Sequence, residues 1–443
     1  MTQILFSFDT EDWINPAAEE GVLRLARTLE DEGLRGCFCV VAEVAQEWRR
    51  RNSREVLEAL RAHEVDGHSW RHSWHPNIAE YSEDADWERS LARFLREERY
   101  GFDVIMDICQ RDHLWAFIKP GNATSAQAIY GYTLLGSNIF GDGILDSRGG
   151  RGVWFCNALS LTYDFCIEEP LMQQDLSALR PLLDQWAGLE RVILYAHPTK
   201  TIHTQFWDGL NMARHNPPEW GRWIPSPQRP RAEIERFFAN FRGLLRLLKD
   251  HGGFTFGTYE EVWKAQRLPT RRRLDRPTLK TLLEQAARHL TWQKDTRTGE
   301  SYTPAEILAA AVDELAGRPD PWDAWAVMGP VYEPQAITEP VTLSAEAVRL
   351  AARQLRPVVY VPPAVQVDRA TLGPGDFLRA MAQVLQGADE ITLFPGPQLP
   401  EAADWPELAQ RVTSRDWLYP PGWTSDWVDK RLRWQAWTIR PAD

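Results

Sequence analysis

Two short motifs hold the side chains best suited to chemistry: Ser7-Phe8-Asp9-Thr10-Glu11-Asp12 and His68-Ser69-Trp70-Arg71-His72. The first places three carboxylates, Asp9, Glu11 and Asp12, just after the apolar run Ile4-Leu5-Phe6, where a buried strand should end and a loop begin. The second follows Glu64-Val65-Asp66-Gly67, read as a short strand stopped by Gly, and sets two imidazoles at i and i+4. One turn of helix puts such positions on one face, close enough for both rings to bind a single cation. Two neutral imidazoles and one carboxylate leave a coordination position for water, which is the catalytic rather than the structural pattern of zinc. A third feature, Val192-Ile193-Leu194-Tyr195-Ala196-His197-Pro198, delivers another His at the end of an apolar run. Catalytic groups collect where strands end along one edge of an α/β sheet, so the three features together predict a metal-centred active site.

Taken singly, each feature has a plainer reading. An i, i+4 His pair is more often a solvated helix face, and acids at a strand end are usually a cap or a loop. Cys37 and Cys39 read as small core residues of a buried strand.

The elements that must position these groups alternate from Ile4 to Trp263. Val22, Leu25, Ala26 and Leu29 make an apolar helical stripe before the Cys37 strand, and Val56, Leu57 and Leu60 do the same before Val65. Phe237, Phe238, Phe241, Leu244, Leu245 and Leu248 recur at helical spacing before a strand at Phe254. Repeated strand-helix units imply an α/β fold with a parallel sheet, open or closed into a barrel. Residues 140–190 and 203–228 interrupt the alternation, and long insertions in a compact domain are usually functional. The segment Gln205-Phe206-Trp207-Asp208, soon after His197, is expected over the metal mouth, with Trp207 and Asp208 touching substrate.

The ordered motifs resemble the polysaccharide deacetylases, the NodB-homology group also called carbohydrate esterase family four, and most closely their cytoplasmic peptidoglycan deacetylase-like and allantoinase-like branch. His63-Glu64-Val65-Asp66-Gly67-His68 with His72 is similar to that family's H-x-x-x-H motif, and Gly36-Cys37-Phe38-Cys39-Val40 to its second strand. Phe117-Ile118-Lys119-Pro120-Gly121 stands where the family has an aromatic, a frequent Arg and a Pro that lines the substrate site. His197-Pro198 resembles the last catalytic motif and Phe254–Tyr259 the closing strand, so the likeness spans about residues 1–265.

The resemblance implies a distorted, incomplete seven-stranded (β/α) barrel. It also implies a divalent metal, with zinc favoured, held by His68, His72 and either Glu11 or Asp12, with Asp9 as base and His197 as acid. Strand alternation favours Glu11, whereas a turn beginning at Thr10 would bring in Asp12. Ile118 occupies the place of the Arg that orients the base in many members, and the adjacent Lys119 is a candidate to reach in instead. The implied activity is hydrolysis of a non-peptide amide, N-deacetylation of an acetamido sugar or polysaccharide. The alternatives are a small-amide hydrolase of allantoinase-like type and a decayed, glycan-binding scaffold.

Across all 443 residues the net charge of −12 argues against a nucleic-acid or anionic-membrane partner, since phosphate binding needs clustered cations. No apolar stretch reaches membrane-spanning length and the chain enters a strand at once, so the expected location is the cytoplasm. The 5 scattered cysteines agree with a reducing compartment. The 21 tryptophans suit stacking on sugar rings, although most should be core.

The expected division is a barrel over 1–268, a linker over 269–279 marked by Pro269 and Arg271-Arg272-Arg273, and a mainly helical accessory domain over 280–443. Segments beginning at Thr303, Thr342 and Thr371 echo one another as N-capped amphipathic helices. They are similar to pseudomurein-binding repeats, which implies binding of cell-wall glycan by the C-terminal region.

Overall fold

The computed structural model describes all residues except 122, 146–148, 174–175, 267–271, 402–417 and 443. The chain forms two compact units, neither of them contiguous in sequence. The first comprises Met1–Gly152, Ser160–Ala265 and Gln410–Ser425, and the second Val153–Leu159, Gln266–Ala409 and Asp426–Asp443. Among the described residues no helix is long and apolar enough to cross a membrane.

The first unit is mixed α/β around a sheet centred on β1 (Thr2–Thr10), followed in the chain by β2 (Cys37–Val40), β3 (Glu64–Gly67), β4 (Ala116–Ile118) and β5 (Ile139–Gly141). The strands are parallel and lie in the order β5-β4-β3-β2-β1, continued beyond β1 by Arg191–Ala196 and then Phe165–Cys166. Strand Phe254–Gly257 pairs with the first half of β1 and β2 with its second half, Ser7 lying opposite Cys37. Two neighbours thus divide the length of one strand, and the sheet curls.

Alternation along β1 separates two environments. The rings of Phe6 and Phe8 meet Phe241 at 5.9 and 6.2 Å, on the helix Arg231–His251. Ser7 and Asp9 face the other way, where Ser7 Oγ lies 2.9 Å from the Tyr163 hydroxyl. The apolar stripe predicted for α1 (Ala18–Asp31) is buried at Val22, Leu25, Ala26 and Leu29. Helix Arg231–His251 buries its Phe and Leu stripe and stops at Gly252, whose φ of 71° suits a residue without Cβ.

In the second unit one arrangement occurs twice. Strand Arg272–Leu274 pairs antiparallel with Trp322–Ala324 and encloses helix Arg276–His289, the hairpin Gln293–Lys294/Ser301–Tyr302 and helix Pro304–Leu315. Strand Val341–Ser344 pairs antiparallel with Glu390–Leu393 and encloses helix Ala345–Gln354, the hairpin Val365–Val367/Ala370–Leu372 and helix Pro374–Leu385. Glu306 accepts from the Thr303 N–H at 2.8 Å, and Asp376 likewise from Gly373 at 3.3 Å, so both last helices open on the same acid-to-cap contact. The three segments beginning at Thr303, Thr342 and Thr371 each lead into a helix, as read, but not from equivalent positions. Thr303 is a cap, Thr342 and Thr371 lie in strands, and the caps beside them are Ser344 and Gly373. Of the linker expected over 269–279, residues 269–271 lie outside the described residues. Within the remainder Arg272 joins a strand and Asp275 caps the helix that follows.

Candidate metal centre

The groups singled out in the sequence stand where β1, β3 and strand Arg191–Ala196 end. Beyond β3 the chain does not form the expected helical turn. Ser69 and His72 take φ values of 69° and 52°, and Ser69 Oγ accepts from the His72 N–H at 3.0 Å, closing a tight loop. A left-handed residue other than Gly costs roughly 1–2 kcal/mol, and such strain persists where surrounding structure demands it. The loop still brings the imidazole rings of His68 and His72 to 5.0 Å.

Glu11 meets both rings. Its Oε2 is 2.8 Å from His72 Nε2 and 3.5 Å from His68 Nε2, and all three side chains are buried. His68 Nδ1 donates to the Ile118 carbonyl at 3.1 Å. His72 Nδ1 donates to Ser73 Oγ at 2.7 Å, and that hydroxyl donates in turn to Asp208 at 2.7 Å. With Nδ1 protonated on both rings, each Nε2 presents a lone pair beside Glu11. Neither Nε2 has a hydrogen-bond partner among the described residues, although both are buried. Burial would raise the Glu11 carboxyl, but the charge of a protonated His72 ring and the contacts of His68 and His72 outweigh burial and hold the group well below the usual carboxylate range. A bound cation would take the place of those ring protons, leaving the Nε2 lone pairs free to ligate it. An ionised carboxylate with two orphaned imidazole nitrogens suits a divalent cation, zinc among them.

Of the two residues expected over the metal mouth, Asp208 lines the cavity and Trp207 does not. Trp207 is fully buried and its indole N–H donates to Glu11 Oε1 at 3.3 Å, so it orients a candidate ligand. Asp208 lines the cavity and also anchors the Ser73–His72 chain. Asp12 lies outside the cluster. Its carboxylate accepts from the Ile14 and Asn15 backbone N–H groups, from Asn15 Nδ2 and from Thr199 Oγ1, while burial pushes its pKa up to about 6.

Asp9 and His197 face each other, with 3.7 Å between Oδ2 and Nε2. Asp9 is raised by burial, against the neighbouring His68 and His197. Its Oδ1 accepts from the Tyr163 hydroxyl, and burial keeps that phenol neutral by pushing its pKa far up. Lys119 does not reach Asp9, because its ammonium is bound to Asp142 and to the Gly121 carbonyl. His197 Nδ1 is 2.6 Å from Glu168 Oε1. Burial would lower the imidazole, but Glu168 outweighs it and His197 is raised to about 10. Tyr163 and Glu168 escaped the sequence reading. Glu168 follows the short apolar run Phe165-Cys166-Ile167, much as Asp9 follows Phe8, whereas nothing local marks Tyr163.

Asp9, Glu11, His72, Tyr163 and His197 line one cavity of about 390 Å³, within the size range of small-molecule sites. Pro120 is buried, and its neighbours Lys119 and Gly121 form the wall in its place.

If His197 acts as a proton donor, activity falls as pH rises through its pKa. Removing the Glu168 carboxylate lowers that pKa, so Glu168→Gln should shift the alkaline limb of kcat/KM to lower pH by a unit or more. A limb that stays in place would exclude His197 as the titrating acid.

No protein-family model matches the chain, and no curated protein does. Among solved structures it is similar to BA3943, a CE4 family pseudoenzyme from Bacillus Anthracis, at 11% identity and a TM-score of 0.34 over 59% of this chain and 64% of that one. It is similar to the peptidoglycan deacetylase PdaC from Bacillus subtilis at 16% identity and a TM-score of 0.32, over 60% of this chain and 93% of that one. The family 4 carbohydrate esterase from Streptomyces lividans in complex with acetate gives 12% identity and a TM-score of 0.31, over 58% and 92%. The chain thus spans less than two thirds of the length of BA3943. Likeness of this size leaves the functional reading to the geometry of the site.

Proposed function

We propose that this site hydrolyses the amide C–N bond of an acetamido sugar, releasing acetate and a free amine. One observation carries the reading: the buried Glu11, His68 and His72 cluster opens on the same cavity as the facing pair Asp9 and His197. A divalent cation held by Glu11, His68 and His72 would supply Lewis-acid polarisation of the acyl oxygen and acidify a water. Asp9 takes a proton from the attacking water as the water oxygen bonds to the acyl carbon. His197 Nε2 delivers a proton to the nitrogen as the C–N bond breaks, so the amine leaves neutral. Tyr163 orients Asp9, and Glu168 orients and charges His197.

The absence of an Arg beside the base favours a decayed site. The Tyr163 hydroxyl weighs against decay, since it supplies a donor to the same carboxylate. Tyr163→Phe keeps the ring stacked on Tyr195 at 4.4 Å while deleting that donor. Loss of a hydrogen bond to a charged group should lower kcat about 10–100-fold with KM little changed. Unchanged kcat would remove Tyr163 from the positioning of Asp9.

The function itself is tested by incubating the metal-loaded protein with N-acetylglucosamine and its oligomers, and with a panel of small linear and cyclic amides. Acetate and free amine in equal amounts from the sugars is the expected result. Turnover confined to the small amides would overturn the sugar reading, and turnover of none would mark the chain as a non-catalytic binder.

A further inference from the structure

Ser69 and His72 hold left-handed backbone with side chains attached, and strain of that kind persists only where neighbouring groups over-determine it. The grip comes from behind the loop. The N–H groups of Ala42 and Glu43, at the start of helix Ala42–Arg51, donate at 3.1 Å to the Ser69 and Trp70 carbonyls. From helix Trp87–Cys109, Glu98 Oε2 accepts from the Trp70 N–H at 3.0 Å. The peptide between Ser69 and Trp70 is thus held at its carbonyl and at its N–H, and the next one at its carbonyl, midway between the two imidazoles.

Glu98 stands inside that helix with only 3% of its surface exposed. Its Oε2 also accepts from the Tyr132 hydroxyl at 2.8 Å, on helix Ala126–Leu134. Among the described residues no cation pairs with it, and burial pushes its pKa up to about 7 against those two hydrogen bonds. A buried carboxyl without a counter-ion destabilises a fold unless its hydrogen bonds offset the loss of water. One of the two donors that do so here is the amide of the metal loop. Gly101, three residues on and on the same helix face, continues the fit, since a Cβ there would come 3.1 Å from Trp70 Cβ and 3.2 Å from its Cα. The bare helix surface lets the Trp70 backbone lie close enough to reach Glu98.

We propose that Glu98 is a positioning residue: it clamps the Trp70 peptide so that His68 and His72 stand in ligating geometry before an ion arrives, and it thereby raises the affinity of Glu11, His68 and His72 for a divalent cation. The proposal rests on the reading of those three residues as a metal site.

The test is competition of zinc against a chromophoric chelator for the full-length, metal-stripped protein, with thermal unfolding of the stripped protein measured alongside. Glu98→Leu removes the acceptor and should weaken zinc binding about 10–100-fold, the usual effect of losing a group that orients a ligand from outside the coordination sphere. Glu98→Gln can place an amide oxygen where Oε2 stands and should restore most of the affinity. Tyr132→Phe is the control for packing, because it deletes the other donor to Glu98 away from the loop, and it should leave zinc affinity near wild type. Unchanged affinity in Glu98→Leu would overturn the clamp, as would a Glu98→Gln protein equally weak. An equal loss in Tyr132→Phe, or a loss that follows melting temperature across the variants, would overturn it by showing that the substitutions act through the fold. If Glu98→Leu does not fold, Gly101→Ala decides: Ala favours the helix while its Cβ pushes Trp70 off, and unchanged zinc affinity there overturns the clamp. A wild type that takes up no zinc would sink the metal reading and this proposal together, whereas tight wild-type binding that no substitution weakens would sink the clamp alone.

Discussion

Asp9→Asn is expected to keep the bound cation and lose turnover on the order of 10²–10⁴-fold, the usual cost of removing a positioned general base. The carboxylate sits at the end of the central strand, its Oδ1 held by Tyr163 and its Oδ2 facing His197. The amide occupies nearly the same volume and still accepts from Tyr163, but it cannot take a proton from water. Burial raises the Asp9 carboxyl, with a smaller push from Glu11 and against the pull of His68 and His197, which makes it a stronger base than a solvated aspartate. Elemental analysis should find metal content equal to wild type. Loss of metal in Asp9→Asn would make Asp9 a ligand, and near-normal turnover would remove it from the mechanism.

Glu11→Gln should release most of the cation at a chelator concentration that leaves wild type loaded, and with it nearly all activity. His68→Ala and His72→Ala should behave alike. Asp12→Asn is the informative control, because its carboxylate is tied to Asn15 and Thr199 and stands apart from the rings. It should retain stoichiometric metal while losing some stability, since a buried acceptor of several hydrogen bonds is weakened. Metal loss from Asp12→Asn with retention in Glu11→Gln would reverse the assignment. Retention in all four variants would place the cation elsewhere.

Much of the frame was legible because it depends on periodicity. The stripe Val22-Leu25-Ala26-Leu29 has one helical solution, and Ile4-Leu5-Phe6 leading to Asp9 reads as a strand whose alternate side chains part company. The choice between Glu11 and Asp12 was not legible, since both follow the last strand residue and alternation no longer constrains them. Partners distant in the chain decide it: Thr199 draws Asp12 away, while Trp207 and His72 hold Glu11. The His68–His72 spacing suggested a helical turn, yet the local backbone is set by left-handed Ser69 and His72, which no propensity favours. Tyr163 was invisible for a similar reason. It comes from an irregular insertion 154 positions from Asp9, and the pairing of Phe165–Cys166 with Arg191–Ala196, itself paired with β1, brings the two together.

The paired helices of the second unit show the limit of reading echoes. Similar Thr or Ser capping patterns in the segments from Thr303, Thr342 and Thr371 suggested three related starts, but a cap reports only that a helix begins. Antiparallel closure of each copy by its own first and last strands defines the true unit, and that pairing leaves no mark at the caps.

The candidate ligands come from separate strand ends, Glu11 following β1 and His68 and His72 following β3, with β2 between them. A bound ion would tie together segments that meet only once the sheet has assembled. Its binding free energy then belongs to the folded state alone, adding RT ln(1 + [M]/Kd) to the unfolding free energy, about 2.7 kcal/mol at a hundredfold excess over Kd. Metal supply would on this account set how long the chain survives proteolysis and heat as well as how fast it turns over, and scarcity would thin the population of molecules before it slowed any one of them.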